Sequence, residues 1–186
     1  QLNEEDDVAI VTYNSDATTL LNFTSGDDPT ITATLNNLSS GGSTAMMSGL
    51  IKAYNVASQY SGNAEQVRVM LFTDEQPNVG NTHPGSFRDL VEGNGFLGIG
   101  ITIFGIGLGL NSELFSFMAD VRGANAFSFS NVEQVPSFIP DNWPWFVSPI
   151  AYNLSVASTT TNVDFIKGYG FPGGNTVEET MTVQTV

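Results

Sequence analysis

The sequence predicts an α/β protein: a doubly wound, mainly parallel sheet with helices on both faces, followed by a small β-rich extension. Three observations lead there. Compact apolar runs rich in β-branched residues recur at residues 8–13, 67–72 and 99–106, as in strands buried on both faces. Stretches with helical spacing separate these runs, so strand and helix alternate in the manner of a parallel sheet. After Pro136 the texture changes to Pro140, Trp143-Pro144-Trp145 and Pro149. Tyr152, Leu154 and Val156 then alternate with polar residues, as residues 180–186 do, which is the pattern of antiparallel strands with one wet face.

Taken in order, Val8-Ala9-Ile10-Val11-Thr12-Tyr13 is the first strand and Asn14-Ser15-Asp16 ends it. Residues 17–23 suit a hairpin partner or a sheet edge. Residues 31–38 carry a weak helical or turn pattern, and Gly41-Gly42-Ser43-Thr44 is a loop. Met46, Leu50, Ala53, Tyr54 and Ala57 recur at helical spacing, so a helix runs from Ala45 to about Ser58. Val67-Arg68-Val69-Met70-Leu71-Phe72 is the next buried strand, closed by Thr73-Asp74. A helix is expected over 86–92, after Pro84-Gly85. A further one is expected from the capping sequence Asn111-Ser112-Glu113, carrying Leu114, Phe115, Phe117 and Met118. Ala126-Phe127-Ser128-Phe129 is a short strand, and Asn131 starts a last helix. The expected organisation is a domain over 1–139, a Pro/Trp connector over 140–148 and a β-strand extension over 149–186, as part of a β-sandwich.

Composition narrows the function classes. The 186 residues hold five Lys and Arg against nineteen Asp and Glu, a formal charge of −14. That excess repels nucleic acid and anionic membranes, and it suits cation binding or solubility in a salty medium. No cysteine is present, so neither a disulfide framework nor a zinc–thiolate site is available. The acidic start, Gln1-Leu2-Asn3-Glu4-Glu5-Asp6-Asp7, is not a signal peptide. The apolar stretch 95–110 is too short and too rich in glycine to span a bilayer.

The constellation with chemistry in it is Gly41-Gly42-Ser43-Thr44 opening a helix, then a strand ending in Thr73-Asp74 about thirty residues on. Ligands of doubly wound sheets bind at the carboxyl ends of the strands. A hydroxyl and a carboxylate at one such rim are hard oxygen ligands, suited to Mg²⁺, Mn²⁺ or Ca²⁺.

At these residues the chain resembles the von Willebrand factor type A family, over roughly residues 7–138. Asp7-Val8-Ala9-Ile10-Val11-Thr12-Tyr13 resembles the family's second strand. The segment from Gly41 through Leu50 resembles the loop and helix bearing its metal-site threonine, here Thr44. The segment from Leu71 through Gly80 resembles the strand and loop bearing its metal-site aspartate, here Asp74, and residues 101–107 resemble the following core strand. The likeness is greatest to bacterial exported members with a flanking β-sandwich. Two features depart from the family. Glu75 stands where the family has glycine, adding a charge beside the site. The family's Asp-x-Ser-x-Ser motif, which ends its first strand, occurs nowhere in the 186 residues.

The resemblance implies a non-enzymatic adhesion or protein-interaction module, extracellular, at the cell surface or periplasmic, with a metal-ion-dependent adhesion site. Thr44 and Asp74 are its expected ligands, and Ser43, Glu75 and Asn78 are expected nearby, Ser43 and Asn78 as stabilisers of their loops. The expected cofactor is a divalent cation, Mg²⁺ first and Ca²⁺ or Mn²⁺ as alternatives, conditional on the absent motif being supplied. The expected partners are a protein ligand at the metal face, and an upstream segment or second chain that completes the sheet. The alternative reading is a structural subunit of a surface filament, completed by a neighbour's strand. A hydrolase is disfavoured, because His83 has no nucleophile elbow to serve. Trp143 and Trp145 are expected to pack between the two units, and Asn22, Asn37 and Asn153 begin formal glycosylation sequons.

Overall fold

A computed structural model describes residues 2–60, 62, 66–74, 78–107, 121–148, 152–157 and 180–185. Its elements are β1 (Asp7–Tyr13), β2 (Ala17–Ser25), α1 (Pro29–Asn36), α2 (Met46–Ala57), β3 (Val67–Thr73), α3 (Pro84–Phe96), β4 (Ile99–Ile106), β5 (Ala124–Phe129), α4 (Val135–Val147), β6 (Tyr152–Ala157) and β7 (Thr180–Thr185). β3, β4 and β5 form one parallel sheet in that order, with Val69 beside Ile101 and Ile103 beside Ala126. β1 and β2 form an antiparallel hairpin with two register shifts, and β6 pairs with β7, also antiparallel. The helix expected from Asn111 falls outside the described residues, as do 158–179.

Helices cover the β3–β5 sheet on both faces, as the strand–helix alternation predicts. Alternate side chains of a strand point to opposite faces. Val69 and Leu71 of β3 and Ile99, Ile101 and Ile103 of β4 therefore share one core with Met46, Leu50 and Tyr54 of α2 and Phe87 and Val91 of α3. Phe104 and Phe129 face the other way and join Phe146 of α4, with Phe146 edge-on to Phe104 at 5.1 Å.

The second face carries a polar lock. Gly100 has no side chain, and a Cβ there would meet the Arg68 guanidinium at 2.8 Å, so Arg68 lies across it. One guanidinium nitrogen donates to the Ile101 carbonyl (2.9 Å), Thr102 Oγ1 (2.9 Å) and Asn125 Oδ1 (3.1 Å). Thr102, fully buried, donates to the Phe146 carbonyl at 2.7 Å, and Asn125 Nδ2 donates to the Trp145 carbonyl at 3.1 Å. Side chains of the sheet thus satisfy carbonyls that the end of α4 leaves without a helical partner.

The segment 140–148, expected as a Pro/Trp connector, continues α4 to its end. Pro140, Trp143, Pro144 and Trp145 are helical, and the helix ends only at Val147. Prolines in a helix interior remove backbone donors and disfavour the helix. Here burial of Phe146 and packing of Ile139, Trp143 and Val147 against the Phe104 cluster override that preference. Trp143 packs there, whereas Trp145 is largely exposed. α3 is also longer than the expected 86–92. It begins at Pro84, with His83 as its N-cap, and His83 Nδ1 accepts the Gly85 N–H at 3.1 Å.

The two halves of the domain meet without a shared ladder. Ile101 N–H donates to the Gly123 carbonyl at 2.9 Å, so the odd-numbered backbone groups of β4 point to β5 and the even ones to β3. Through the register of Met70 with Thr102, Val69 and Leu71 turn toward β4. The N–H and C=O groups of Arg68, Met70 and Phe72 are left on the outer edge, which faces β1. Beside that edge Phe72 is 51% exposed, although its ring stacks on Phe104 at 4.8 Å. Residues 8–13 of β1 are all only half-buried.

Tyr54 is 3% exposed, and its hydroxyl has no hydrogen-bond partner among the described residues. Burial pushes its phenol far above the ordinary range, against a smaller opposing effect of Arg68. Tyr54→Phe should therefore leave stability at neutral pH unchanged or raise it by up to about 1 kcal/mol, since an unsatisfied donor is removed. A phenol whose folded pKa is raised stabilises fully below its unfolded value of about 10 and loses that contribution as pH rises beyond it. Denaturant titrations between neutral pH and pH 11 should show a shallower alkaline loss in Tyr54→Phe than in the parent. A large destabilisation at pH 7 would contradict the orphaned hydroxyl.

Candidate functional site

The carboxyl ends of β1, β3 and β4 point to one rim, and Ser43, Thr44, Asp74 and Asn78 lie on the segments that follow or face those ends. Thr44 closes the glycine loop before α2. The position that opens the helix is Ala45, whose side chain offers no capping oxygen, so Thr44 is not the N-cap. Gly42 takes φ +86°, a left-handed conformation that glycine adopts without strain, and a Cβ there would press on Asn14 at 3.1 Å. Thr44 is largely buried, and two hydrogen bonds tie it to Asn78 on the loop after β3. The Thr44 N–H donates to Asn78 Oδ1 at 2.7 Å, and the Asn78 N–H donates to the Thr44 carbonyl at 3.1 Å. Ser43 is tied instead to the turn after β1, its N–H donating to Ser15 Oγ at 3.2 Å.

Asp74 follows directly on Thr73, the last residue of β3, and is exposed. Its charge is felt by Tyr13 at the end of β1. The Tyr13 hydroxyl donates to the Phe72 carbonyl at 3.2 Å. Burial pushes that phenol up, the hydrogen bond with the Thr73 side chain acts the other way, and the Asp74 carboxylate raises it further. The structure therefore brings Thr44 and Asn78 together, with Ser43 beside Thr44, and sets Tyr13 against the end of β3. Glu75 lies outside the described residues. Among the described residues no group of three or more His, Cys, Asp or Glu could hold a metal. Thr44 and Asp74 would offer a cation one hydroxyl and one carboxylate. These are hard oxygens that suit a hydrated Mg²⁺, and they are too few for Ca²⁺, which takes about six to eight oxygens.

Comparison with known proteins bears on this rim. The sequence profile described as von Willebrand factor type A domain matches residues 1–141. An uncharacterized protein, YfbK, of Escherichia coli K12 is 33% identical over 127 residues, which are 67% of this chain and 22% of that protein. The chain thus spans about a fifth of that relative's length. A structure of proximal thread matrix protein 1 from the mussel byssus, with a zinc-occupied MIDAS motif, is 25% identical. It covers 73% of this chain and 33% of its own, with a TM-score of 0.56. A von Willebrand factor type A structure from Catenulispora acidiphila covers all of this chain and 47% of its own, with a TM-score of 0.67. At 14% identity that likeness speaks for the fold alone.

Sequence reading missed the part played by Tyr13, Asn14 and Ser15. Asn14-Ser15-Asp16 is legible as a strand terminator, and its turn forms in the expected way, with the Asp16 N–H donating to Asn14 Oδ1. Nothing local shows that the Asn14 carbonyl then accepts the Ala45 N–H at 2.7 Å, thirty-one residues on. The clamp between the two loops is open to direct test. Asn78→Ala removes the acceptor of the Thr44 N–H and should lower stability by about 1 kcal/mol. Amide exchange should quicken at Thr44 while the amides of β4 keep their protection. Unchanged exchange at Thr44 would mean that the loops do not depend on each other.

Proposed function

The chain belongs to the von Willebrand factor type A domain family, a family of protein-interaction modules, and from that premise we propose that it binds a protein partner through a divalent cation at the carboxyl rim. The observation that carries this reading is the pair of hydrogen bonds between Thr44 and Asn78, which draws the threonine loop against the loop that follows Asp74. Thr44 and Asp74 would hold the ion, with Mg²⁺ favoured by the small donor set, and Ser43, Glu75 and Asn78 would flank them. A bound cation with an open coordination position accepts a carboxylate oxygen from a partner. The chain's own residues supply the rest: glycines that let the loop turn, the Asn78 clamp, and an acidic surface that attracts cations. An adhesive, extracytoplasmic role is part of the proposal. It is supported by the resemblance to exported family members. No helix among the described residues is long and apolar enough to cross a membrane. Residues 149–186 are proposed as part of a separate β-rich unit, built on the β6–β7 pair.

A second reading is favoured by the open edge of β3 opposite β1. A strand from outside these 186 residues, in the same polypeptide or another, would pair with both edges. It would also bring the Asp-x-Ser-x-Ser ligands that the chain does not contain. The chain would then be a subunit of an assembly completed by strand exchange. The two readings are compatible, because the same strand completes the sheet and the cation site.

Calorimetric titration of the 186-residue chain with Mg²⁺ tests the cation reading. With one hydroxyl and one carboxylate against the about six oxygens that Mg²⁺ takes, binding should be weak, and Asp74→Ala should remove it. Tight binding that survives Asp74→Ala would put the ion elsewhere.

A further inference from the structure

We propose that Tyr13 is the positioning residue of the rim: it holds the start of α2 and the end of β3 at a fixed separation, so that Thr44 and Asp74 serve one cation. The inference rests on the cation reading above and adds a residue to it. Four contacts converge on Tyr13 and its neighbour. The phenol donates to the Phe72 carbonyl at 3.2 Å, two residues before Asp74. Thr73, the residue between them, hydrogen-bonds the same phenol through its side chain. The ring lies under α2 at Gly49, where a Cβ would come within 2.7 Å of it. The Asn14 carbonyl accepts the N–H of Ala45, the residue after Thr44, at 2.7 Å.

These contacts make one short segment the common reference for both ligand-bearing elements. β1 and β3 share no ladder, so backbone pairing does not set their distance. The Tyr13 side chain reaches across instead, and the carbonyl it meets belongs to the outer edge of β3. A planar ring with two torsions, held by its partners at the hydroxyl and by α2 at its face, is a strut of defined length. Gly49 is what allows α2 to come down on that ring, and a side chain there would displace it.

Mn²⁺ serves as the probe, its affinity read by water-proton relaxation on the full 186-residue chain, with melting temperature measured in parallel. Tyr13→Phe keeps the ring and removes the hydroxyl. It should weaken Mn²⁺ between about twofold and tenfold, the range that one net hydrogen bond represents. Gly49→Ala, which drives the ring aside, should weaken it at least as much. Val91→Ala, in the core beneath α3 and away from the rim, should lower the melting temperature and leave Mn²⁺ affinity at the parent value. Asp74→Ala should abolish binding. If Asp74→Ala abolishes binding and Tyr13→Phe does not weaken it, the role of Tyr13 is wrong and the cation reading stands. If Asp74→Ala binds as the parent does, the cation reading fails and the role of Tyr13 falls with it. If Val91→Ala weakens Mn²⁺ as much as Tyr13→Phe, Tyr13 acts through stability alone, and the proposal is overturned.

Discussion

The backbone groups on the outer edge of β3 are the constraint on which the rest of the molecule turns. Three consecutive edge positions, Arg68, Met70 and Phe72, offer N–H and C=O groups toward β1, and no strand among the described residues takes them. A sheet edge of this kind is a template for pairing, and here it lies on the side of β3 where Tyr13 of β1 approaches. The consequences are visible on both sides. β1 is apolar and only half-buried, with β2 as its single ladder partner. Phe72 carries an exposed face where a fully covered sheet would bury it. A phenol takes the position that a neighbouring strand would occupy at the Phe72 carbonyl. The rim inherits its form from this arrangement, because the segments that carry Thr44 and Asp74 meet it from different elements, one before α2 and one after β3.

The far side of β3 is held differently. Arg68 brings a guanidinium into a half-buried environment, with hydrogen-bonding oxygens around it and no carboxylate partner among the described residues. Burial moves its pKa down, while Tyr152 and Tyr54 act in the opposite direction. Such a charge is tolerated because carbonyl and amide dipoles solvate it. The same two side chains reach on to α4, the Thr102 hydroxyl donating to the Phe146 carbonyl and Asn125 Nδ2 to the Trp145 carbonyl, so one polar cluster fixes the helix to the sheet. On this side the β3–β5 sheet is held to α4, and the β1–β2 half is joined to the sheet chiefly through α2 and the rim.

Where local chemistry and the fold agreed, the sequence could be read. The β-branched runs at β1, β3 and β4 and the helical spacing of Met46, Leu50 and Tyr54 follow from side-chain periodicity that tertiary packing then reinforces, and the alternation at β6 marks a strand that forms. Glycines 41 and 42 marked the loop before Thr44, and the left-handed φ of Gly42 is the reason. Where the two levels disagreed, it could not. Pro140 and Pro144 speak against a helix, and only the aromatic cluster around Phe104 makes α4 the better outcome. The rim was half legible. Thr44 and Asp74 stand out through the resemblance, whereas Tyr13 looks like an ordinary strand aromatic until Gly49 and Phe72 are seen beside it.

The open edge of β3 is the central claim, and backbone amide exchange tests it most directly. Residue-resolved exchange of the folded chain should alternate along β3. Val69 and Leu71, whose N–H groups turn to β4, should be protected to the level of Thr102 and Phe104. Arg68, Met70 and Phe72 should exchange much faster, because their N–H groups face an edge with no ladder. Uniform protection of the amides from Arg68 to Phe72 would show that a strand already occupies that edge, and it would contradict this account.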